Sequence, residues 1–171
     1  MTRYGLCCIS LALHDAGVRF RTTTVKSHYD APAKDRKKRL FDIVAHNLRT
    51  TLTTTKFCHE RGWTYRMSSS LYPLLNYEPA NLSWSKALKN DEIAEALSEL
   101  KHYLMASEMR VSLHPDQFVV LASENKDVRD RSISELDNHA EFMDLLGLEQ
   151  SYRFPINIHM NNYRAGAQQR F

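Results

Sequence analysis

Apolar positions recur along this chain in two alternating rhythms, short runs with a period of two and longer stretches with a helical period. Tyr4–Ile9 reads as a first strand, followed by a polar, threonine-rich loop, Arg21-Thr22-Thr23-Thr24. From about Ala33 to His59, Leu40, Ile43, Val44 and Leu48 fall at helical spacing, and Gly62 stands where that helix would stop. Thr64–Met67 reads as a second strand, and the segment beyond it, with Pro73, Asn76 and Pro79, as a long loop. A second helix is predicted from Asp91 to about Ala106, with Ile93, Leu97, Leu100 and Leu104 on one face. Arg110–Leu113 is the third strand. A third helix is predicted from about Lys126 to Leu146, with Val128, Ile133, Leu136, Ala140 and Met143 inward and Gly147 just past its end. Pro155–Ile158 reads as a fourth strand.

Strands and helices in strict alternation imply parallel strands joined by right-handed crossovers. Strand starts near residues 4, 64, 110 and 155 give each unit roughly 45–60 residues. Two α/β architectures fit, a small open doubly wound sheet and part of a (β/α)8 barrel, which closes at about 250 residues. The 171 residues suffice for a single domain, 1–171, with its own core. No short-period repeat or low-complexity segment points to a solenoid or a disordered tail.

Composition narrows the class. No apolar run approaches the ~20 residues of a membrane helix, and the start lacks the pattern of a secretory signal. Cys7, Cys8 and Cys58 form neither a disulfide framework nor a CxxC pair, so a cytoplasmic, membrane-free setting is expected. The net charge of +3 conceals an asymmetry: residues 1–66 carry 13 Lys/Arg against 5 Asp/Glu, a balance of +8. Arg19, Arg21 and Lys26, then Lys34 and Arg36–Arg39, concentrate it. Such a patch suits a polyanion through counterion release, although a charge run is more often a solvated face.

Five scattered glycines exclude a dinucleotide loop and a P-loop, and HExxH, GxSxG and EF-hand patterns are absent from the sequence. What remains is positional. His114 follows the third strand directly and His159 the fourth, and the C-terminal ends of parallel strands share one rim. By alternation Ser112 and His114 point to one side, as do Asn157 and His159, with Val111, Leu113, Ile156 and Ile158 turned toward the helices. Two imidazoles at adjacent strand ends suit Zn²⁺ or Mn²⁺, with carboxylates completing the shell; the bland alternative is a pair of hydrogen-bonded rim residues. Ser68 and Ser69 lie on the same rim, where they could line a phosphate or cap the next turn. His46 and His139 fall within helices, and His14, His28, His59 and His102 have no strand-end placement.

Several stretches carry a further signal: Tyr4-Gly5-Leu6, Arg19-Phe20-Arg21-Thr22-Thr23-Thr24, Asn47-Leu48, Tyr65-Arg66-Met67-Ser68-Ser69-Ser70-Leu71-Tyr72-Pro73, Ser112-Leu113-His114-Pro115-Asp116-Gln117-Phe118 and Asn157-Ile158-His159. In this order they resemble the UV damage endonucleases, over essentially the whole chain. The resemblance implies the (β/α)8 barrel, here about four βα units of it, and an enzyme that nicks double-stranded DNA 5′ to UV photolesions with divalent metals. Manganese is the expected ion, with zinc or magnesium as alternatives. His114 and His159 would then be ligands, Gln117 and Phe118 a pair that wedges into the duplex, and Leu6 a lesion contact. Phe118 keeps the stacking surface of the tyrosine common there but lacks its hydroxyl, and Asp116 adds a negative charge where glycine is common. The remaining ligands of the family belong to later strands, so this chain is similar to an N-terminal half and is expected to be weakly active or inactive. Two other readings stand beside this one. They are a sugar-isomerase-like barrel with paired metals, and a non-catalytic half-barrel that associates with another chain, or with itself, through open edges.

Overall fold

Local chemistry sets the ends of most elements. In the computed structural model, which describes residues 4–158, the chain runs β1 (Gly5–Cys7), α1 (Leu11–Asp15), α2 (Val25–Asp30), α3 (Ala33–His59), β2 (Thr64–Ser68), a 3-10 turn (Glu78–Ala80), α4 (Trp84–Ala87), α5 (Asp91–Ser107), β3 (Val111–His114) and α6 (Lys126–Leu145). Side-chain oxygens cap the helix starts: Ser10 accepts from Leu13 N, Thr24 from Ser27 N, Asn90 from Ile93 N, and Asn125 from Asp127 N and Val128 N. Gly147, at φ +71°, closes α6, where Leu148 N donates to Met143 O at 3.2 Å.

The three strands are parallel in the order β1-β2-β3, with Leu6 opposite Tyr65, Tyr65 opposite Val111, and Ser68 opposite His114. This register sorts the side chains into two faces. Tyr65, Met67, Val111 and Leu113 are buried in one core with Leu40, Val44 and Leu48 of α3 and Ile93, Leu97 and Leu100 of α5. On the other face Cys7, Arg66, Ser112 and His114 are half-buried or exposed. A sheet covered on both faces would read as continuous apolar runs, which these strands are not. Gly5 is required by close approach, since a Cβ there would lie inside van der Waals contact with Thr64 Oγ1.

Four expectations are corrected. Pro155–Ile158 does not form a strand within the described residues; it makes a single parallel bridge, Leu113 to Ile156, with Leu113 N donating to Pro155 O (3.0 Å) and Asn157 N to Leu113 O (2.9 Å). Pro155 has no N–H to extend the ladder. Ile158 is 46% exposed rather than turned to the helices. β1 ends at Cys7 rather than Ile9, because Cys8 adopts φ +60° and turns out of the strand. The inward face of α6 follows the apolar spacing only in part: Met143 is buried and Val128 and Leu136 are half-buried as expected, whereas Ile133 is 49% exposed and Ala140 is exposed, and Ser132 and Phe142 are buried instead. The buried Ser132 hydroxyl is satisfied by donating back to Val128 O (2.7 Å) and accepting from Val120 N (2.9 Å).

The long loop after β2 is a built structure rather than a plain loop. Trp84 is buried, stacks on Phe142 with centroids 5.2 Å apart and an interplanar angle of 22°, and takes Tyr72 edge-on at 5.2 Å. Apolar burial of these three rings ties the loop to α6.

Candidate strand-end rim and wedge loop

Three strand ends and the loops leaving them form the site. At β3 the chain passes from His114 into Pro115, which is buried, and then turns sharply at Asp116. The Asp116 carboxylate accepts from Phe118 N (3.0 Å), and its carbonyl accepts from Val119 N (3.0 Å). Val119 is buried and Val120 N is held by Ser132. Between these anchors Gln117 is exposed and Phe118 is 75% exposed. Asp116, expected as a charge that opposes DNA, is therefore also the side chain that shapes the turn.

His114 is half-buried, with its Nδ1 3.4 Å from Cys8 Sγ. Cys8 is placed there by its left-handed turn, fixed by Cys8 N to Arg66 O (2.8 Å) and by the buried Tyr65 hydroxyl donating to Cys8 O (3.1 Å). Burial pushes the Cys8 thiol up to about 11. Arg66 lies beside Cys7, donating to its Sγ through Nε at 3.1 Å. Cys7, Cys8 and Arg66 were not singled out from the sequence. The alternation Tyr65-Arg66-Met67, with one charge between two core residues, is the signal that puts Arg66 on the open face.

The other expected residues spread around this rim. Ser68 is buried and caps the turn, its Oγ accepting from Ser70 N at 3.2 Å. Ser69 is half-buried and lines a cavity of about 520 Å³ between the post-β2 loop, the Asp116–Phe118 turn and α6. Tyr72 Oη, Trp84 Nε1 and His139 Nε2, all on residues lining it, are buried without a hydrogen-bond partner. Leu6 is half-buried in the row with Tyr65 and packs against the core, away from the polar row. Arg21 is exposed on a loop clamped by Asn47, and Arg19 is exposed, its Nε donating to His14 O (3.1 Å) and its carbonyl lying 2.8 Å from His46 Nε2. Lys26 is exposed on α2. Part of the basic run has structural work: Arg36 donates to Ala31 O (2.9 Å) and Tyr29 O (2.7 Å), and Lys38 pairs with Asp42 at 2.8 Å. His159 lies outside the described residues.

Among the described residues no group of three or more His, Cys, Asp or Glu side chains is arranged to hold a metal ion. His114 offers one imidazole on this rim, and with no such group of three among the described residues the described part does not by itself fit a metal centre. No helix among the described residues is long and apolar enough to cross a membrane.

Parallel strands covered by helices on one face, with polar side chains at the strand ends, define an α/β protein with an open, polar C-terminal rim to its sheet. The chain belongs to the UV-endonuclease UvdE family, whose model it matches over residues 2–170. A UV DNA damage endonuclease of Nostoc sp. (strain PCC 7120) is 37% identical over 156 residues, covering 91% of this chain and 46% of the relative. One of Deinococcus radiodurans is 31% identical over 148 residues, covering 86% and 47%. The crystal structure of SacUVDE is similar in fold, with a TM-score of 0.72 at 23% identity over 91% of this chain and 48% of that one. The chain thus spans about half the length of these relatives.

Proposed function

We propose that this chain supplies the DNA-facing strand ends and wedge loop of a UV damage endonuclease, on part of a (β/α)8 barrel. The observation that carries the reading is the anchored turn at the end of β3, which presents Gln117 and Phe118 outward beside His114. An exposed aromatic held on a rigid turn can enter a duplex where stacking is already weakened, as at a photolesion. Arg19, Arg21 and Lys26 would contribute phosphate contacts. The divalent ion expected of the family, manganese first, would take His114 and His159 as ligands and supply phosphodiester hydrolysis when bound. Completing its shell requires groups that the described residues do not bring to this rim, so strong nicking by this chain alone is not expected.

The test is a binding titration of intact and UV-irradiated duplex at two salt concentrations, paired with a nicking assay in Mn²⁺. Affinity should fall with salt by a log–log slope of about −0.9 per phosphate neutralised. Joint replacement of Arg19, Arg21 and Lys26 by Ala should weaken both duplexes alike, and replacement of Gln117 and Phe118 should erase the preference for irradiated DNA. Salt-independent binding, or a lesion preference that survives without Phe118, would remove the DNA role. Efficient nicking that is lost in His114→Ala would overturn the view that this chain is catalytically incomplete.

A further inference from the structure

Adjacent residues of an extended strand point to opposite faces, so Cys7 and Cys8 should be separated by the sheet. They are not. Cys8 leaves β1 with φ +60°, a conformation L side chains rarely adopt, and the turn brings the two sulfurs to 3.6 Å. Two hydrogen bonds hold Cys8 in it, Cys8 N to Arg66 O at 2.8 Å and Tyr65 Oη to Cys8 O at 3.1 Å. The Arg66 guanidinium donates to Cys7 Sγ from Nε (3.1 Å) and Nη2 (2.5 Å), while Cys8 Sγ sits 3.4 Å from His114 Nδ1. Cys7 is exposed, whereas the third thiol, Cys58, is buried on the far side of this chemistry, within the core. Backbone strain held by surrounding bonds is the kind of feature that accumulates at functional sites.

We propose that Cys7 and Cys8 form a thiol–disulfide modification site that a low-molecular-weight disulfide oxidises reversibly, drawing Cys8 away from His114. Cys7 is the entry point, because it is exposed and open to an incoming disulfide, whereas Cys8 is half-buried. Its sulfur, having released its proton to solvent, attacks one sulfur of R–S–S–R; that S–S bond breaks, R–S⁻ leaves, and Cys7 carries the mixed disulfide. Cys8, 3.6 Å away, attacks the Cys7 sulfur with its proton released to solvent, and the second R–S⁻ departs. Two protein thiols are oxidised by two electrons, and one disulfide is reduced to two thiols. The bond is easily reversed, because adjacent Cα atoms are about 3.8 Å apart whereas disulfides usually span at least about 4.4 Å, and strained disulfides are readily reduced. Reduction restores the Cys8–His114 contact.

The experiment incubates the reduced protein with glutathione disulfide, blocks remaining thiols with N-ethylmaleimide after unfolding, and maps peptides by mass spectrometry. The peptide holding both cysteines should lose two hydrogens and take no maleimide, Cys58 should be alkylated, and dithiothreitol should reverse the change. Cys8→Ser should stop at a persistent glutathione mixed disulfide on Cys7, and Cys7→Ser should leave Cys8 reduced. The imidazole ¹⁵N resonances of His114 should shift on oxidation of the wild type but not of Cys8→Ser. A wild type that stops at the mixed disulfide, that cross-links between chains, or that reacts first at Cys58 overturns the proposal, as does an oxidised pair that leaves His114 unmoved.

Discussion

Asn47 is buried at the centre of four backbone contacts. Its Oδ1 accepts from Arg21 N (2.8 Å), and its Nδ2 donates to Arg21 O (2.9 Å), Ser70 O (2.9 Å) and Leu71 O (3.2 Å). One amide therefore joins the Arg21 loop to the loop leaving β2, and no backbone group can replace it. Asn47→Leu keeps the volume and strands these partners; at about 1–3 kcal/mol per unsatisfied buried group, it should lower unfolding free energy by about 3 kcal/mol. Denaturant melts check this, and an unchanged midpoint would show that the two loops hold without the amide. Cys58 makes a second residue-scale prediction. Burial pushes its thiol from 9.0 to about 11. The folded state thus disfavours the thiolate, so this contribution is intact below pH 9 and is lost as pH rises toward 11. Relative to wild type, Cys58→Ala should flatten the decline of stability between pH 9 and 11, by about 2 kcal/mol at the upper end. Parallel curves for the two proteins would contradict it.

At the scale of elements, the Asp116–Val120 turn is held at both ends by groups with no apolar signature. Asp116 caps the Phe118 amide and Ser132 caps Val120 from α6. Asp116→Ala removes one exposed turn bond, so global stability should change by no more than about 0.5 kcal/mol. Hydrogen exchange at the Phe118 amide should nonetheless accelerate, and discrimination between irradiated and intact DNA should narrow, because a loose ring enters the duplex at a larger entropic cost. Unaltered exchange would mean the turn is shaped by Pro115 and Val119 instead.

For the molecule as a whole, the sheet has helices on one face and a half-exposed polar row on the other, with β1 at an edge of the described order. We propose that this edge and face let the chain associate with a second copy of itself. Unpaired strand edges recruit partners, and an exposed polar row gives specificity rather than affinity. Sedimentation across a concentration series should show mass rising with concentration, and a fixed monomer mass at every concentration would exclude self-association.

Periodicity by itself determined the long helices. α3 spans Ala33–His59 as the spacing of Leu40, Val44 and Leu48 requires, and α5 buries Ile93, Leu97, Leu100 and Leu104, because a helix that must cover a sheet writes its inward face into every third and fourth residue. The strand alternation of Thr64–Met67 and Arg110–Leu113 likewise fixed which side chains face outward, and the family signal came from the same short stretches. Only the tertiary structure decided the rest. Short α1 and α2 depend on single caps at Ser10 and Thr24, and α4 depends on Trp84 finding Phe142, 58 positions along the chain. On α6, Ser132, a residue that hydropathy counts as surface, is buried because its hydroxyl is bonded to Val128 O and Val120 N. The Cys7–Cys8–His114 contact needs a left-handed turn at residue 8 and a register in which Ser68 meets His114. Each of these rests on one or two hydrogen bonds or a long-range contact, and such terms leave no period in the sequence.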